Sequence, residues 1–410
     1  MSKTNYLFAL DVGSSVIKSV VGEIIPNLPL QIIAANTSPA SGVRKGQVIE
    51  IEDASTAIKE NLKETEKKIG ERYNELICSV SGSHIESITS RGIVAISRAD
   101  GEVSEKDVER VIKAAEAITL PKNKEILHTI PKEFIVDKEG GIKNPVGAHG
   151  IRLEVETEII LGFSPYINNL IKAVEQAGYL VKDLVFSSFA GSLAVLSKRQ
   201  KELGVLVLDL GAEVTGLCIF EEGTLLKSTI LPIGASHITN DIAIAFQLPL
   251  DTAEKLKLKY GFASEENISK KEEIKLEEID IEEKKVISRR KLIEVIEARN
   301  VEILEMVNKE LKKIDRERLL PAGVVLIGGG AKMPGLEELV KRELHLPCQI
   351  GYPREIEGII DKIDDPSFAT VIGLLFWQLN EELKKGGISK GIPVGRYLSK
   401  LKKWIEGLLP

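Results

Sequence analysis

Two aspartates in matching surroundings carry the strongest chemical signal in this 410-residue chain. In VLVLDLGAEVTGLCIF, residues 205–220, four apolar residues lead into Asp209, Gly211 follows two positions later, and apolar residues resume after Thr215. That order describes a buried strand, a tight turn and a returning strand. The carboxylate sits at the strand end, and the glycine lets backbone N–H groups come close to a ligand. LFALDVGSSVIKSVVGEI, residues 7–24, has the same grammar, with Asp11 and Gly13 placed 198 residues earlier. One Asp-x-Gly would carry no weight. Two, in equivalent hairpins, predict a duplicated domain whose Asp-bearing turns face one another, with room between them for a nucleoside triphosphate and its Mg²⁺. Ser14 and Ser15 add hydroxyls to the first turn. Lys18, just past it, is either a solvated strand lysine or a cation reaching phosphate, and its place favours the second.

Three further features belong to the same chemistry. A buried strand at 324–327 runs into Gly328-Gly329-Gly330, which lets backbone lie flat against a sugar and base. Gly234 opens a helix at 235–246, whose first N–H groups could point at phosphates. Glu254 and Lys257, three apart in DTAEKLKLKYG, share a helix face, although such a pair alone is usually only a surface salt bridge.

The elements that must position these groups alternate strand and helix, an α/β pattern. A third strand is predicted at 30–35, followed by a loop with Ser38, Pro39, Ser41, Gly42 and Gly46. An amphipathic helix is predicted over 51–69 with Asp53 as its N-cap, then a buried strand at 76–80. A different kind of segment fills 82–158. It has a capped helix at 104–117, strands at 92–96, 134–136 and 153–160, and no catalytic constellation. Its His84, His128 and His149 lack metal-ligand spacing and read as ordinary surface or core histidines. Helix 165–177 and strand 181–186 lead into SSFAGSLAVLSK, 187–198, where Ala190, Gly191, Ser192 and Ala194 permit a close helix crossing. A strand at 225–232, a charged edge hairpin or loop at 264–285 and a long helix at 291–312 complete the second half. On that long helix Lys291 and Arg299, eight residues apart, read most simply as a solvated basic stripe.

Composition sets the outer limits. The chain is long enough for two or more domains, with 43% hydrophobic and 28% charged residues, as in a soluble globular protein. A net charge of −6 gives no reason to expect nucleic-acid binding. Cys78, Cys218 and Cys348 are dispersed, which fits reduced cytosolic thiols. The first apolar run is too short for a signal peptide and no run is long enough to span a bilayer. The last stretch is distinct. From Lys384 to the end, seven basic side chains face only Glu406, and Tyr397, Leu398, Leu401, Trp404, Ile405 and Leu408 fall at helical spacing. With Lys400, Lys402 and Lys403 opposite, this predicts an amphipathic interfacial helix at 394–410 after a glycine-bearing linker at 384–393.

LDVGSS, LDLGAEVTG and VVLIGGGAKMPG, in this order, resemble the two phosphate motifs and the adenosine motif of the actin/Hsp70/sugar-kinase ATPase superfamily. Within it the chain is most similar to the FtsA family of bacterial cell-division proteins. The points of similarity are the unrelated segment at 82–158, the TAEKLK helix, LIEVIEARNVEIL, PSFATVIGLLFW and the amphipathic tail. The resemblance implies an actin-like fold of two duplicated lobes with an inserted small α+β domain. The first lobe would comprise 1–81, 159–200 and 366–383, the insertion 82–158, and the second lobe 201–365, with a subdomain at about 235–315. It implies ATP and Mg²⁺ as cofactors, the metal held through water by Asp11 and Asp209. Gly13, Ser14, Ser15, Lys18 and Gly211 would cradle phosphates, with Thr215 a weaker candidate. Gly328, Gly329, Gly330 and Met333 would flank the nucleoside, Glu254 would accept from the ribose and Lys257 would lie against adenine. Implied partners are the FtsZ C-terminal peptide at Lys291 and Arg299, further copies in filaments, later division proteins at 82–158, and lipid on the cytoplasmic face of the membrane at the division site. Ala212 and Glu213 replace two glycines of the superfamily's second phosphate loop, and SSFAGSLAVL has no Gln or Glu to position water. Both departures imply ATP binding with slow or negligible hydrolysis. A small-molecule kinase and a pilus-assembly protein of the PilM type are the alternatives on the same fold.

Overall fold

The computed structural model describes residues 6–25, 28–265, 272–279 and 285–384. Both predicted hairpins are present, as Tyr6–Val12 with Val16–Glu23 and as Val205–Leu210 with Thr215–Glu221. Each is extended in the same way. On one side a third antiparallel strand is added, Leu30–Pro39 in one sheet and Thr224–Leu231 in the other. On the other side two parallel strands follow, Glu75–Val80 then Leu180–Phe186, and Val324–Ile327 then Cys348–Ile350. The two sheets therefore share one strand order, with a sixth strand, Ile356–Gly358, added at the edge of the first. The central strands are buried on both faces, as their unbroken apolar runs require.

Two helices join the lobes. Ser187–Val195 is buried at every position, and Ala369–Lys384 crosses it. The small residues permit this approach as predicted: a Cβ on Gly373 would lie 1.8 Å from the Ala190 carbonyl oxygen, and one on Gly191 would lie 2.4 Å from Ile327.

The segment between Glu75–Val80 and Ser164–Gln176 forms a separate four-stranded sheet, ordered Glu86–Ala95, Arg152–Phe163, Lys124–Val136, Glu139–Ile142. Helix Glu105–Glu116 covers it with the predicted capping box between Ser104 and Asp107. The helix rests on Gly92, where a Cβ would meet the Val111 carbonyl oxygen at 2.1 Å. His128 accepts from the Phe186 N–H at 3.0 Å, and burial lowers its pKa to about 4; His84 accepts from Phe163 and is lowered to about 4 by the same cause. A further small core joins helices Ala235–Phe246, Leu250–Tyr260 and the start of Arg289–Lys312.

Four local expectations are corrected. Asp53 is not an N-cap: the 51–69 helix is preceded by Glu50, and Asp53 stands in its first turn. Asp251 also stands in a first helical turn, in the helix that follows Pro249, near the positive end of the dipole. The strand expected at 134–136 extends back to Lys124, because Pro131 sits opposite Thr157 at a register shift where a ladder N–H is not required. The helix expected over 187–198 stops at Val195, and Ser197 caps a separate short helix, Lys198–Leu203. In the 264–285 segment, Glu273–Lys275 pairs with Val286–Ser288 as a hairpin, and Ile274, Leu276 and Ile287 are buried rather than exposed.

Candidate functional site

The repeated hairpins put their turns on opposite walls of one cleft of about 910 Å³ between the lobes. In each turn the glycine closes the loop on itself: Gly13 N–H donates to the Val16 carbonyl at 3.1 Å and Gly211 N–H to the Val214 carbonyl at 3.0 Å. A Cβ at either position would lie 2.8 Å from that oxygen, so both glycines are fixed by the turn itself. Asp11 accepts from the Ser79 hydroxyl at 2.6 Å, and Asp209 accepts from Ser188 at 3.1 Å. Burial first, and then the charge of Asp11, raise the Asp209 carboxyl to about 6. Two carboxylates facing one cleft offer oxygen donors suited to a hard divalent cation. Ser14, Ser15 and Lys18 line the same wall. Lys18 is largely buried, with its ammonium 5.6 Å from the centre of the Phe368 ring, so it is not a solvated strand lysine.

The glycine triplet divides into two roles. Gly328 has φ of +86°, and a Cβ there would meet the Asp209 carboxylate at 2.7 Å; one on Gly330 would meet Leu210 at 2.9 Å. Both let the loop lie against the second hairpin. Gly329, where a Cβ would meet nothing within 4 Å, is the member that faces open space. Beyond it lie Met333, Glu254 and Lys257. Lys257 is buried, and its ammonium reaches Glu254 at 2.7 Å, Thr239 at 2.8 Å and the Ala235 carbonyl at 3.2 Å. This pair is therefore part of the cleft wall and not a surface bridge.

Two expected ligand groups face elsewhere. The Thr215 hydroxyl is buried and donates to the Ile233 carbonyl at 2.7 Å. At Gly234 the first helical N–H groups do not point into the cleft: Ala235 donates to Gly211 and Ser236 to Ala212, at 2.9 and 2.7 Å. The helix start thus clamps the second turn from behind. On the long helix, Arg299 is held by both oxygens of Asp241, at 2.6 and 2.9 Å, and by Glu302, while Lys291 is exposed. The basic stripe is in fact one exposed lysine and one neutralised arginine. Tyr397, Leu398, Lys400, Leu401, Lys402, Lys403, Trp404, Ile405 and Leu408 lie outside the described residues.

Sequence reading missed three members of the cleft wall and one residue buried behind it. Ser79 and Ser188, which orient the aspartates, come from other strands and helices. Asn300 lines the wall, is 5% exposed, and has a side-chain nitrogen without a hydrogen-bond partner. Gly46 also lines the cleft, from the loop after the third strand. None carries a local motif. A buried helical asparagine was the one available clue. Among the described residues no cluster of metal-ligating side chains of the His/Cys/Asp/Glu kind occurs, and no helix is long and apolar enough to cross a membrane.

Comparison with known proteins gives this cleft a context. Residues 206–373 match the family model of cell division protein FtsA, and residues 82–161 match that of the SHS2 domain inserted in FtsA. Among curated proteins, cell division protein FtsA of Borreliella burgdorferi is 39% identical, over 98% of each chain. That of Pseudomonas aeruginosa is 33% identical over 98% of this chain and 97% of its own. Among solved structures, a PilM–PilN type IV pilus biogenesis complex aligns with a TM-score of 0.65 at 21% identity, covering 90% of this chain and 98% of that one. Spiroplasma citri MreB5 bound to ADP aligns at 0.55 and 14%, covering 95% and 99%. These structures share the actin-like fold. With relatives of this identity along nearly its whole length, the chain belongs to the FtsA family of actin-like cell-division proteins.

Proposed function

We propose that the protein binds ATP with Mg²⁺ in the inter-lobe cleft, polymerises, and tethers FtsZ filaments to the cytoplasmic face of the membrane at the division site. The observation that carries this reading is the pair of equivalent turns, Asp11–Gly13 and Asp209–Gly211, opposed across one cleft with a glycine loop beside them. Bound Mg²⁺ would neutralise phosphate charge; Asp11 and Asp209 would hold it through water, kept in place by Ser79 and Ser188. Lys18 and the Ser14 and Ser15 hydroxyls would face the phosphates. Gly329 and Met333 would lie against the nucleoside, with Glu254 at the ribose and the Lys257 stem near the base. Ala212 and Glu213 crowd the terminal phosphate, and no Gln or Glu follows Ser187 in its helix, which supports binding with slow hydrolysis.

Division of labour among the parts belongs to the same proposal. Residues 82–158 would meet later division proteins and 235–315 would carry the FtsZ peptide near Lys291 and Arg299. The basic, apolar tail at 394–410 would bind lipid weakly, and polymerisation would multiply that binding. The test combines calorimetry and co-sedimentation. Asp11→Ala and Asp209→Ala should each weaken Mg-ATP binding at least tenfold. The full chain should pellet with FtsZ filaments and anionic vesicles, and a chain ending at residue 393 should lose only the vesicles. Unchanged ATP affinity in both variants, or vesicle binding without the tail, overturns the corresponding part.

A further inference from the structure

The loop after strand Leu30–Pro39 contains a small hairpin, Val43–Arg44 paired with Gln47–Val48, whose two tip residues both have positive φ, +50° at Lys45 and +72° at Gly46. That is the two-residue turn with left-handed backbone at both positions, in which successive N–H groups can be directed outward together. Both N–H groups are directed at the cleft. Gly46 donates to the Ser14 hydroxyl of the first turn at 2.8 Å. Lys45 donates to the Glu213 carboxylate of the second turn, from the opposite lobe. The hairpin tip therefore joins the two phosphate-side turns, and the anion it holds is a side chain of the chain itself.

The back of the same tip rests on the first residues of the inserted segment. A Cβ on Gly46 would lie 2.8 Å from the Gly82 nitrogen, and one on Gly82 would lie 3.1 Å from the Lys45 carbonyl oxygen. Gly82 itself has φ of +120°, and Gln47 donates to Ser83 at 3.4 Å. Backbone this closely packed cannot shift at the tip without shifting at the junction.

We propose that the Lys45 and Gly46 N–H groups form the terminal-phosphate subsite of the cleft, that Glu213 occupies it as an internal anion, and that exchange of the carboxylate for a phosphate moves the junction at Gly82. This rests on the nucleotide reading above. The chemistry is substitution of one anion for another on the same donors. A phosphate between the two turns repels the Glu213 carboxylate and takes up the Lys45 N–H with a more highly charged oxygen. A diphosphate leaves Glu213 in place. The differential contact, present with a third phosphate and absent with two, is what a ligand needs in order to shift a conformational equilibrium.

The experiment measures ATP and ADP affinity by calorimetry in the full chain and in Glu213→Ala, together with amide hydrogen exchange at residues 45–46 and 82–85. Removing the competing carboxylate should raise the ATP-over-ADP affinity ratio by roughly tenfold, the worth of one charge-assisted hydrogen bond. In the parent chain ATP, and not ADP, should alter exchange at both segments, and Gln47→Ala should weaken the response at 82–85 while keeping it at 45–46. An unchanged ratio in Glu213→Ala overturns the anion exchange. A response at 45–46 with none at 82–85 overturns the relay. Absence of binding by either nucleotide in parent and variant alike removes the nucleotide reading itself, a result distinct from binding with an unchanged ratio.

Discussion

Asp209→Asn should make the isolated protein more stable while making it a worse binder of Mg-ATP. The Asp209 carboxyl is raised from its ordinary 3.8 to about 6 in the folded chain, chiefly by burial and then by Asp11. A carboxyl with a raised folded pKa favours the fold most at low pH, where it is protonated in both states, and that advantage is lost as pH rises through about 6. The shift implies a penalty of about 3 kcal/mol at pH 7 and roughly half of that at pH 5. These are upper figures, because the carboxyl borders the cleft and water there screens it. Asparagine keeps an oxygen for Ser188 and removes the charge. Thermal unfolding in chelator, without nucleotide, should show the variant melting several degrees above the parent at pH 7.5 and the gap narrowing toward pH 5. In calorimetry with Mg-ATP the order should reverse, the variant binding at least tenfold more weakly, and parent affinity should fall more steeply than the variant's between pH 7 and 5. Equal melting temperatures at pH 7.5 together with parallel affinity profiles would refute the argument that burial and Asp11 disfavour the charged form of Asp209.

Three other outcomes follow from the geometry. Gly373→Ala places a methyl 1.8 Å from the Ala190 carbonyl oxygen at the helix crossing, so chemical denaturation should show a loss of about 3 kcal/mol or more. Asn300 has an unpaired side-chain nitrogen on the cleft wall, and in the proposed nucleotide complex a carboxamide would match the donor–acceptor edge of adenine better than the paired acceptors of guanine. Asn300→Ala should reduce the preference for ATP over GTP by about tenfold in competition binding. Arg299→Glu should weaken binding of an FtsZ tail peptide, and Asp241→Asn, which frees Arg299 from its carboxylate partner, should strengthen it in fluorescence anisotropy; identical affinities in both variants would place the contact elsewhere.

Much of the architecture was legible in the chain because it is written in local periodicity. Apolar runs ending in Asp-x-Gly define strand, turn and strand without outside help, and their recurrence announced the duplication. The 51–69 helix has the limits its amphipathic pattern predicts, and the helix opened by Gly234 runs over 235–246 as read. The run of Ala190, Gly191, Ser192 and Ala194 foretold a close crossing, although not the partner, Gly373. Where the reading failed locally, the deciding force came from another element. The strand read at 134–136 runs back to Lys124 through Pro131, which a register shift against its neighbour accommodates.

The site divides along the same line. Carboxylates, glycines and the lysine past the first turn were visible because each is constrained by its own hairpin. The direction of a donor is not so constrained. Helix N–H groups at Ala235 and Ser236 could serve a phosphate or a carbonyl equally well by sequence, and the packing of Gly234 onto the second turn chose the carbonyls. Thr215, Arg299 and Lys257 were settled in the same way, by partners 18, 58 and up to 22 residues distant. Glu213 is the clearest case: locally it is an acidic residue in a turn, and its acceptor role depends on a hairpin tip 168 residues earlier. Sequence fixes which groups a segment offers, since propensity and periodicity act over a few residues. Which group each one meets is decided by chain closure over tens to hundreds of residues, and hydrogen bonds are directional and short-ranged enough that only the assembled lobes determine it.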